Sequence, residues 1–333
     1  MSPPAELLAR FGLANVDFSS ERLSGGHIHR TWTLGRDGVA QYVAQAVNTA
    51  VFPDIQSCER NLDLVDRHLG GSLVPAFLRT DTGQIHAADP ARTVWRISRF
   101  ATGTIGAAAA ASTGQAYGAA QQFGTYARRL AELPVDAFAV PIARFHDLDW
   151  RMSQLAHAVQ EDVAKRADSC REVIATVLDV ARRCRITAPP RRRIVHNDAK
   201  VANLRFDANT GRAVLVVDLD TTMAGSVLYD IGELVRSGCT QSAEDDPDPD
   251  VDGDRVNAVL DGYFAGAGPL VTASDRSLAH FAGPLMAIEN ASRFLADHLL
   301  GDTYFSTTYD GQNLTRARAQ ARLADLLLRV PAG

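Results

Sequence analysis

The pattern of apolar residues changes near Thr102-Gly103, and this change constrains the fold more than any other feature of the sequence. Before this point, short segments with alternating or β-branched residues surround one amphipathic segment, which predicts several strands and a single long helix. After it, long segments of helix-forming residues dominate. The sequence therefore predicts an α+β fold with a small mixed lobe over residues 1–102 and a larger, mainly helical lobe over 103–333.

The individual elements are predicted from the same periodicities. In the small lobe, the expected strands are a pair joined by Gly25-Gly26, then 41–48, 73–80 and 92–100, and the expected helices are 5–11 and 54–70. In the large lobe, we expect a hairpin from 204–206 and 213–217, and helices over 105–133, 153–184, 227–238, 253–265, 274–300 and 313–330. No repeat of fixed period occurs, so a solenoid is not expected.

Four polar residues follow one another at fixed spacing in the segment IVHNDAKVANLRF. They fit the pattern H-x-D-x-K-x-x-N and are His196, Asp198, Lys200 and Asn203. Lys200 is one of only two lysines in the chain. The predicted hairpin comes next, and its second strand ends in DLD, which begins at Asp218. Because a hairpin folds the chain back on itself, we expect Asp218 to lie beside the loop that carries Asn203.

This arrangement is typical of phosphoryl transfer. That reaction needs a carboxylate that positions the attacking hydroxyl and accepts its proton, oxygen ligands for a metal ion, and a cation beside the transferred group. The His–Asp and Asp–Asn spacings are those of the catalytic loop of kinases. We therefore predict Asp198 as the base, with Asn203 and Asp218 as ligands of Mg²⁺. Lys200 would supply the cation, because a compact ammonium fits a crowded oxygen cluster better than the planar fork of arginine.

Simpler interpretations exist for each piece of this pattern. An isolated H-x-D is common by chance, and short clusters of Asp and Asn also cap turns. His196 is more easily explained as a buried, hydrogen-bonded support than as an acid or a base. The prediction therefore depends on the combination of four typed positions, a hairpin and an acidic strand end.

The stretch from His196 to Gly238 resembles the core of the protein-kinase-like small-molecule phosphotransferases, the aminoglycoside phosphotransferase superfamily. Within these it is most similar to N-acetylhexosamine 1-kinases. Their patterns HNDTKxxN, VIDLDTVMPG and YDFGDxxR are matched here by HNDAKVAN, VVDLDTTMAG and YDIGELVR. Further matches in the same order are GGHIHRTW, YVAQAVNTAVFPD, RTVWRISRF, PIARFHDLDWR and RFLADHLLGDTYF, so the resemblance covers nearly the whole chain.

The resemblance implies a protein-kinase-like two-lobed fold, with an antiparallel sheet and one helix in the small lobe and ATP with Mg²⁺ in the cleft. It implies that the acceptor is the anomeric hydroxyl of an N-acetylhexosamine or a related sugar. The residues it assigns to the nucleotide are Gly25, Gly26, Gln45 and Arg99. The residues it assigns to phosphate or sugar are His27, Ser237 and Arg293. It makes Asp230 a structural anchor behind the catalytic loop.

Two of these residues have equally simple structural explanations, His27 as a turn residue and Arg293 as a member of a helix-surface ion pair. The chain also departs from the kinase pattern. No lysine precedes Lys165, so the lysine that protein kinases carry on their third strand is absent. Gln45 stands in that strand, and Glu59 on the next helix cannot form the usual Lys–Glu pair. Other departures are His29-Arg30, Ala199, Ala202 and Ser237, and they concern the identity of the sugar rather than the transfer.

Two other functions remain open. One keeps the enzyme class but makes the acceptor an aminoglycoside or another amino-alcohol. Such cations would suit an acidic cleft, which the acidic run 244–254 could supply. The other is a pseudokinase that binds nucleotide without transferring phosphate. The missing lysine favours that reading, whereas the intact Asp198, Asn203 and Asp218 oppose it.

The remaining features limit the expected partners to small molecules. A net charge of −5 and a pI near 6.0 indicate no nucleic-acid surface. No apolar run is long enough to span a bilayer, and dispersed cysteines suit a reducing cytoplasm. The acidic run 244–254 begins like a calcium loop, but Val259 stands where the loop needs a glutamate. We expect that run to be a solvated, mobile loop.

Overall fold

The fold has two lobes, and the computed structural model describes them over residues 2–14, 16–23, 28–184 and 191–331. The small lobe is built on a five-stranded antiparallel sheet of order β1-β2-β3-β5-β4. Its strands are β1 (Ser19–Arg22), β2 (Arg30–Arg36), β3 (Val39–Ala46), β4 (His86–Ala88) and β5 (Val94–Arg99). Helices α1 (Ala5–Arg10) and α2 (Ile55–Leu69) accompany the sheet. Trp32 and Trp95, with ring centroids 5.2 Å apart, lie in its core.

The large lobe is mainly helical and is organised around α9, which is buried along most of its length. Its helices are α3 (Thr113–Leu130), α4 (Leu148–Glu161), α5 (Arg171–Arg183), α6 (Val227–Gly238), α7 (Gly253–Ala267), α8 (Ala273–Leu278), α9 (Ala282–Leu300) and α10 (Gln312–Leu327). Its short strands are β6 (Thr104–Gly106), β7 (Arg193–Val195), β8 (Leu204–Asp207), β9 (Ala213–Val216) and β10 (Met223–Gly225). They form a β6-β8-β9 sheet and a β7-β10 pair, from which the candidate site extends.

The predicted α+β fold with two lobes is confirmed, but several elements differ from the expectation. The expected helix 105–133 begins only at Thr113, and Thr104–Gly106 form β6 instead. The segment 73–80 is not a regular strand. It forms only isolated bridges, one of them between Phe77 and Ser98 of β5, and the backbone amide of Phe77 donates to the side chain of Asp66 on α2. The expected helix 153–184 is divided after α4, where Asp162 takes a left-handed conformation with φ of 38°. The expected helix 274–300 is divided between α8 and α9. The predicted boundary at 102/103 stays a prediction, although β6 already pairs with β8 of the large lobe.

Helices α3 and α7 pack closely because glycines lie where they meet. A Cβ atom at Gly266 would lie 2.1 Å from the carbonyl oxygen of Gln121. We expect Gly266→Ala to lower the free energy of unfolding by about 1–3 kcal/mol, although alanine is the better helix former. The matched control is Gly118→Ala on α3, where a Cβ would meet nothing within 4 Å. That variant should be neutral or more stable by up to about 1 kcal/mol. Urea unfolding checks both, and equal midpoints would contradict the expectation.

Two findings bear on the expected partners and location. None of the helices in the described ranges is long and apolar enough to cross a membrane. The four cysteines are buried as free thiols. A cytoplasmic location and the absence of nucleic-acid partners stay predictions.

Candidate active site

A buried aspartate fixes the start of the loop that follows β7. Asp230 lies in the first turn of α6, and its carboxylate accepts the backbone amides of His196 at 3.2 Å and Asn197 at 2.7 Å. The hydroxyl of Tyr263 donates to the same carboxylate at 3.3 Å. Burial raises the pKa of Asp230 to about 6. Asn197 takes a left-handed conformation with φ of 62°, which asparagine tolerates, and this turns the chain toward Asp198.

Asn197 also ties the loop to the helices behind it. Its side-chain amide donates to the carbonyl oxygen of Thr221 at 3.0 Å. The backbone carbonyl oxygen of Asn197 accepts from His146 Nε2 at 2.6 Å, and His146 Nδ1 donates to Glu289 on α9 at 3.2 Å. Both ring nitrogens face acceptors, so the imidazole carries both protons. Sequence analysis missed this support, because nothing in the segment FHDLDW marks a histidine that contacts a loop so far along the chain.

His196 connects the loop to the end of the hairpin. The ring is buried and packs against Phe123, with ring centroids 5.2 Å apart. Its Nε2 donates to the carbonyl oxygen of Val217 at 3.0 Å, and its Nδ1 accepts the backbone amide of Asp198 at 3.3 Å. One nitrogen donates and the other accepts, so this neutral ring holds two chain segments together.

Asp198, Lys200 and Asn203 form a compact group at the opening of the loop. Lys200 Nζ lies 2.9 Å from Asp198 Oδ2, and Asn203 Nδ2 donates to the same oxygen at 3.0 Å. Burial acts to raise the pKa of Asp198, but the charge and hydrogen bond of Lys200 outweigh burial and hold the pKa below its ordinary value. Within the described ranges, Asp198 Oδ1 has no hydrogen-bond donor, so it stays available to another group.

Asp218 stands at the start of the DLD turn in a left-handed conformation, with φ of 60°. Burial raises the pKa of its carboxyl, and the charges of Asp220 and Asp198 raise it further. The backbone amide of Val217 donates to the Asn203 carbonyl at 2.9 Å, so Asp218 and Asn203 lie on adjacent segments. In the described part of the chain, no donor reaches the Asp218 carboxylate or the side-chain oxygen of Asn203. Free oxygen ligands with excess negative charge fit a hard divalent cation.

Asp220 has a different environment, because the small lobe holds it. Arg96 on β5 donates from Nη1 to Asp220 Oδ1 and from Nη2 to Oδ2, both at 2.5 Å. His29 Nε2 lies 3.1 Å from Oδ2. Potential ligand atoms of His29, Asp218 and Asp220 lie within 4.8 Å of one another, but those of His29 and Asp220 already have these partners. Sequence analysis missed Arg96, although a lone cation inside an apolar strand was an available signal.

Residues 19–268 match the phosphotransferase enzyme family, abbreviated APH. The chain belongs to this family. One solved structure of similar fold is the GDP complex of wild-type aminoglycoside 2'-phosphotransferase-IIIa, with 12% identity, a TM-score of 0.64, and 95% of this chain and 96% of that chain covered. A choline/ethanolamine kinase family protein from Mesorhizobium loti has 17% identity, a TM-score of 0.60 and coverages of 98% and 94%. The microcompartment-associated aminopropanol kinase has 16% identity, a TM-score of 0.63 and coverages of 99% and 98%.

On the helical side of this phosphotransferase, the acidic residue that follows the YDIG motif is paired. Arg236 donates to Glu233 from Nη2 at 2.8 Å and from Nε at 3.0 Å. Burial acts to lower the pKa of Arg236, but Glu233, Glu244 and Asp198 together raise it. Glu233 is therefore a paired carboxylate and not an uncompensated charge.

The predicted substrate residues Ser237 and Arg293 have different partners in the structure. Ser237 Oγ donates to the carbonyl oxygen of Glu233 in its own helix at 2.6 Å. The guanidinium of Arg293 lies 5.3 Å from the centre of the Phe305 ring. Among the described residues, no carboxylate lies within ion-pair distance of Arg293, so the surface ion pair considered above is not observed. The predicted ligands Gly25, Gly26 and His27 lie outside the described residues.

The predicted nucleotide residues of the small lobe, Gln45 and Arg99, differ in burial and in their partners. Gln45 is half-buried on β3, and its Oε1 accepts from Arg96 Nε at 2.9 Å. Arg99 is exposed at the end of β5, where the chain approaches the large lobe. Glu59 accepts the backbone amide of Ile85 at 2.7 Å. It therefore binds the segment before β4 and takes no part in a Lys–Glu pair.

The acidic run 244–254 is partly exposed, and its carboxylates make specific contacts. Asp250 Oδ1 accepts from Thr240 and Ser242 at 2.9 and 3.0 Å. Asp245 Oδ2 accepts the Tyr309 hydroxyl at 2.8 Å and Gln312 Nε2 at 2.9 Å. These contacts join the run to its own turn and to the start of α10, whereas its expected mobility stays a prediction.

The charge of His146 gives a prediction for stability against pH. Burial acts to lower the pKa of His146, but Glu289 outweighs burial and raises it, and Glu233 adds to the effect. A raised native pKa stabilises the fold fully below the unfolded-state value of about 6.5, and this contribution is lost as pH rises through the native pKa. We expect the wild type to exceed His146→Gln by about 2 kcal/mol in free energy of unfolding near pH 6, and by less near pH 9. Urea unfolding measures both differences, and equal differences would contradict a doubly protonated ring.

Proposed function

We propose that this phosphotransferase is an ATP- and Mg²⁺-dependent kinase that phosphorylates the anomeric hydroxyl of a neutral sugar, nearest to an N-acetylhexosamine. The observation that carries the proposal is the group formed by Asp198, Lys200 and Asn203 beside Asp218. One oxygen of Asp198 is bound by Lys200 and Asn203, and no donor in the described part of the chain reaches the other. This supports a carboxylate that is held in place on one side and meets an acceptor on the other.

In the proposed reaction, Asp198 orients the sugar hydroxyl with its free oxygen. As the bond between the sugar oxygen and the γ-phosphorus forms, the bond from that phosphorus to the bridging oxygen breaks and ADP leaves. The hydroxyl proton passes to Asp198. A carboxylate with a lowered pKa is a weak base, which suits a loose transition state in which the proton is transferred late. Lys200 stabilises the anionic form of Asp198 and is available to the transferred group.

Mg²⁺ would supply electrostatic stabilisation of the phosphate charge. The residues that would hold it are Asp218 and Asn203, whose side-chain oxygens have no donors in the described ranges. The ordinary preference of Mg²⁺ for one or two protein oxygens together with substrate phosphates agrees with such a sparse protein site. Gln45 and Arg99, with Gly25 and Gly26 outside the described residues, remain the proposed contacts to ATP.

Two carboxylates near the catalytic loop, Glu233 and Glu289, already have cationic partners, and this favours a neutral sugar over a polycation as the acceptor. Glu233 is bound by Arg236. Glu289 is bound by His146 and lies 3.9 Å from Arg151. These carboxylates therefore already have cationic partners, whereas a site for polycations needs uncompensated acids. Ser237 and Arg293, with His27 outside the described residues, are the proposed contacts to sugar or phosphate.

An amino-alcohol acceptor is the second candidate. The solved structures of similar fold are named for aminoglycoside phosphorylation and as an aminopropanol kinase. The acidic run 244–254 is the natural source of charge for such an acceptor, but Glu244 faces Arg236 and Arg316 at 3.9 and 3.7 Å. This pairing reduces the negative charge available to a cationic ligand.

The deciding experiment is a ³¹P spectrum of the product formed from ATP and separate pools of N-acetylhexosamines, neutral hexoses and aminoglycosides, with ADP release measured in parallel. We expect a phosphate on C1 of a sugar, coupled to the anomeric proton, and no turnover of aminoglycosides. Phosphate on an aminoglycoside alone would replace this proposal with the second candidate. Nucleotide binding without ADP release from any acceptor would favour the pseudokinase.

A further inference from the structure

We propose that Asp220 is not a metal ligand but a latch between the lobes. In this latch, Arg96 and His29 of the small lobe hold Asp220 of the large lobe and thereby position Asp218. The proposal goes beyond the proposed function and rests on it only for the identity of the metal-nucleotide ligand. The three residues Arg96, His29 and Asp220 are called the lobe latch below.

The lobe latch is a buried charge cluster that crosses the cleft. Arg96 comes from β5, and His29 comes from the segment before β2. Their partner Asp220 is 124 residues from Arg96 and 191 from His29 along the chain. The side chains of Arg96 and Asp220 are 2% and 1% exposed, and that of His29 is 4% exposed. Because water is nearly excluded, leaving one charge without its partner should be costly.

The small lobe orients both donors itself. Gln45 Oε1 accepts from Arg96 Nε at 2.9 Å, which directs the two terminal nitrogens toward Asp220. The backbone amide of Asn48 donates to His29 Nδ1 at 3.1 Å. The proton of a neutral His29 ring therefore lies on Nε2, which donates to Asp220.

The lobe latch also explains the missing lysine. Gln45 on β3 and Arg96 on β5 are direct cross-strand partners. A lysine at position 45 would place two cations side by side in a buried site, which is destabilising. The glutamine instead supplies an acceptor to Arg96. The buried cation of the small lobe is therefore Arg96 on β5, whereas protein kinases carry a lysine on β3. Arg96 binds Asp220 of the DLD turn and not a glutamate on α2.

The lobe latch determines which carboxylate of the DLD turn has oxygens available to a metal ion. Both oxygens of Asp220 are occupied by Arg96 and His29, whereas the Asp218 carboxylate has no donor in the described ranges. A second small-lobe contact holds the same turn, since Asn61 Nδ2 on α2 donates to the Thr222 carbonyl at 3.0 Å. With the turn held at these points, the backbone of the left-handed Asp218 is fixed beside the Asn203 segment, to which the neighbouring Val217 donates its backbone amide at 2.9 Å.

The test removes the latch without leaving a buried charge. The double variant Arg96→Met with Asp220→Leu replaces the ion pair by apolar side chains, which often preserves stability. We expect it to bind Mg²⁺–ADP roughly 10–100-fold more weakly in calorimetry. ADP binding in EDTA should change little. A second variant, Arg96→Lys, keeps the charge but loses the two-point grip, and we expect an intermediate loss with the fold retained.

The matched control is Arg79→Met, which removes an ion pair of Arg79 with Asp63 and Asp66 inside the small lobe. It should lower Tm without changing Mg²⁺–ADP binding. If both latch variants bind Mg²⁺–ADP like the wild type, whether or not Tm falls, the cluster does not position the metal ligand and the proposal is wrong.

A second readout needs neither metal nor turnover. Limited proteolysis of the nucleotide-free chain between the lobes, near residues 100–104, should be several-fold faster in both latch variants and unchanged in Arg79→Met. Unchanged proteolysis in the latch variants would overturn the latch even if no acceptor were ever found. Failure of the proposed function, seen as no ADP release by the wild type, is thereby separated from failure of the latch.

Discussion

Asp198→Asn is expected to lower kcat roughly 10²–10⁴-fold, the usual contribution of a positioned acid or base. The amide keeps the shape of the carboxylate and can still accept from Lys200, which lies 2.9 Å away. It cannot take up a hydroxyl proton. KM for ATP and the binding of Mg²⁺–ADP should change much less than kcat. Steady-state kinetics with the best acceptor and calorimetry with Mg²⁺–ADP give the two numbers.

The matched control for this variant is Asp207→Asn on the neighbouring hairpin. Asp207 accepts the backbone amides of Asn209 and Thr210 at 3.1 and 2.8 Å, and asparagine can form the same turn. Its kinetics should equal those of the wild type. If Asp198→Asn turned over at the wild-type rate, Asp198 would not be the base and the proposed mechanism would have to be abandoned.

Asp218→Asn is expected to lower kcat roughly 10²-fold or more, because it removes the charge that would hold the metal. The backbone should not change, since asparagine tolerates the left-handed conformation at φ of 60°. Burial and the charges of Asp220 and Asp198 raise the pKa of Asp218, so its ionised form is disfavoured in the native state. Without metal the variant should therefore be as stable as the wild type or more stable, a trade of stability against activity.

Thermal unfolding in EDTA and with Mg²⁺–ADP tests this expectation. The wild type should gain stability from Mg²⁺–ADP by mass action, and Asp218→Asn should gain much less. The matched control is Asp37→Asn, an aspartate in the β2–β3 turn with φ of 54° whose side chain is 91% exposed. It should show the wild-type response. If Mg²⁺–ADP raised the Tm of Asp218→Asn as much as that of the wild type, that residue would be removed from the proposed metal site.

Much of the fold could be predicted from the sequence, because the signals are local. The amphipathic pattern of 54–70 predicts α2, which the structure shows at Ile55–Leu69. The turn DANTG between two apolar runs predicts the hairpin of β8 and β9. The undivided helix expected over 153–184 failed where a side chain competes with the backbone. There the Asp162 carboxylate accepts the amides of Arg166 and Ala167 and helps end the helical run. Periodicity does not report such competition.

The candidate site also has a part that the sequence predicts and a part that it does not. Asp198, Lys200 and Asn203 are close in sequence, so their spacing alone predicts that they meet. Their supports come from elsewhere: Glu289 reaches the loop through His146, and no sequence spacing links these residues. The choice of sugar, the roles in catalysis and the contacts of Gly25, Gly26 and His27 stay proposals.

The sequence by itself determined the two-part division of secondary structure and the order of the phosphotransferase motifs, because periodicity and short spacings act within a few turns of chain. Only the tertiary structure decided the partners of the two aspartates in the DLD turn. The position of Asp218 at the strand end predicts it as the metal ligand, and the structure adds the reason that Asp220 is occupied: Arg96 from β5 binds both of its oxygens, whereas no donor in the described ranges reaches Asp218. The physical reason is that desolvation and charge pairing depend on which groups the folded lobes bring within a few ångströms, and these groups lie far apart along the chain.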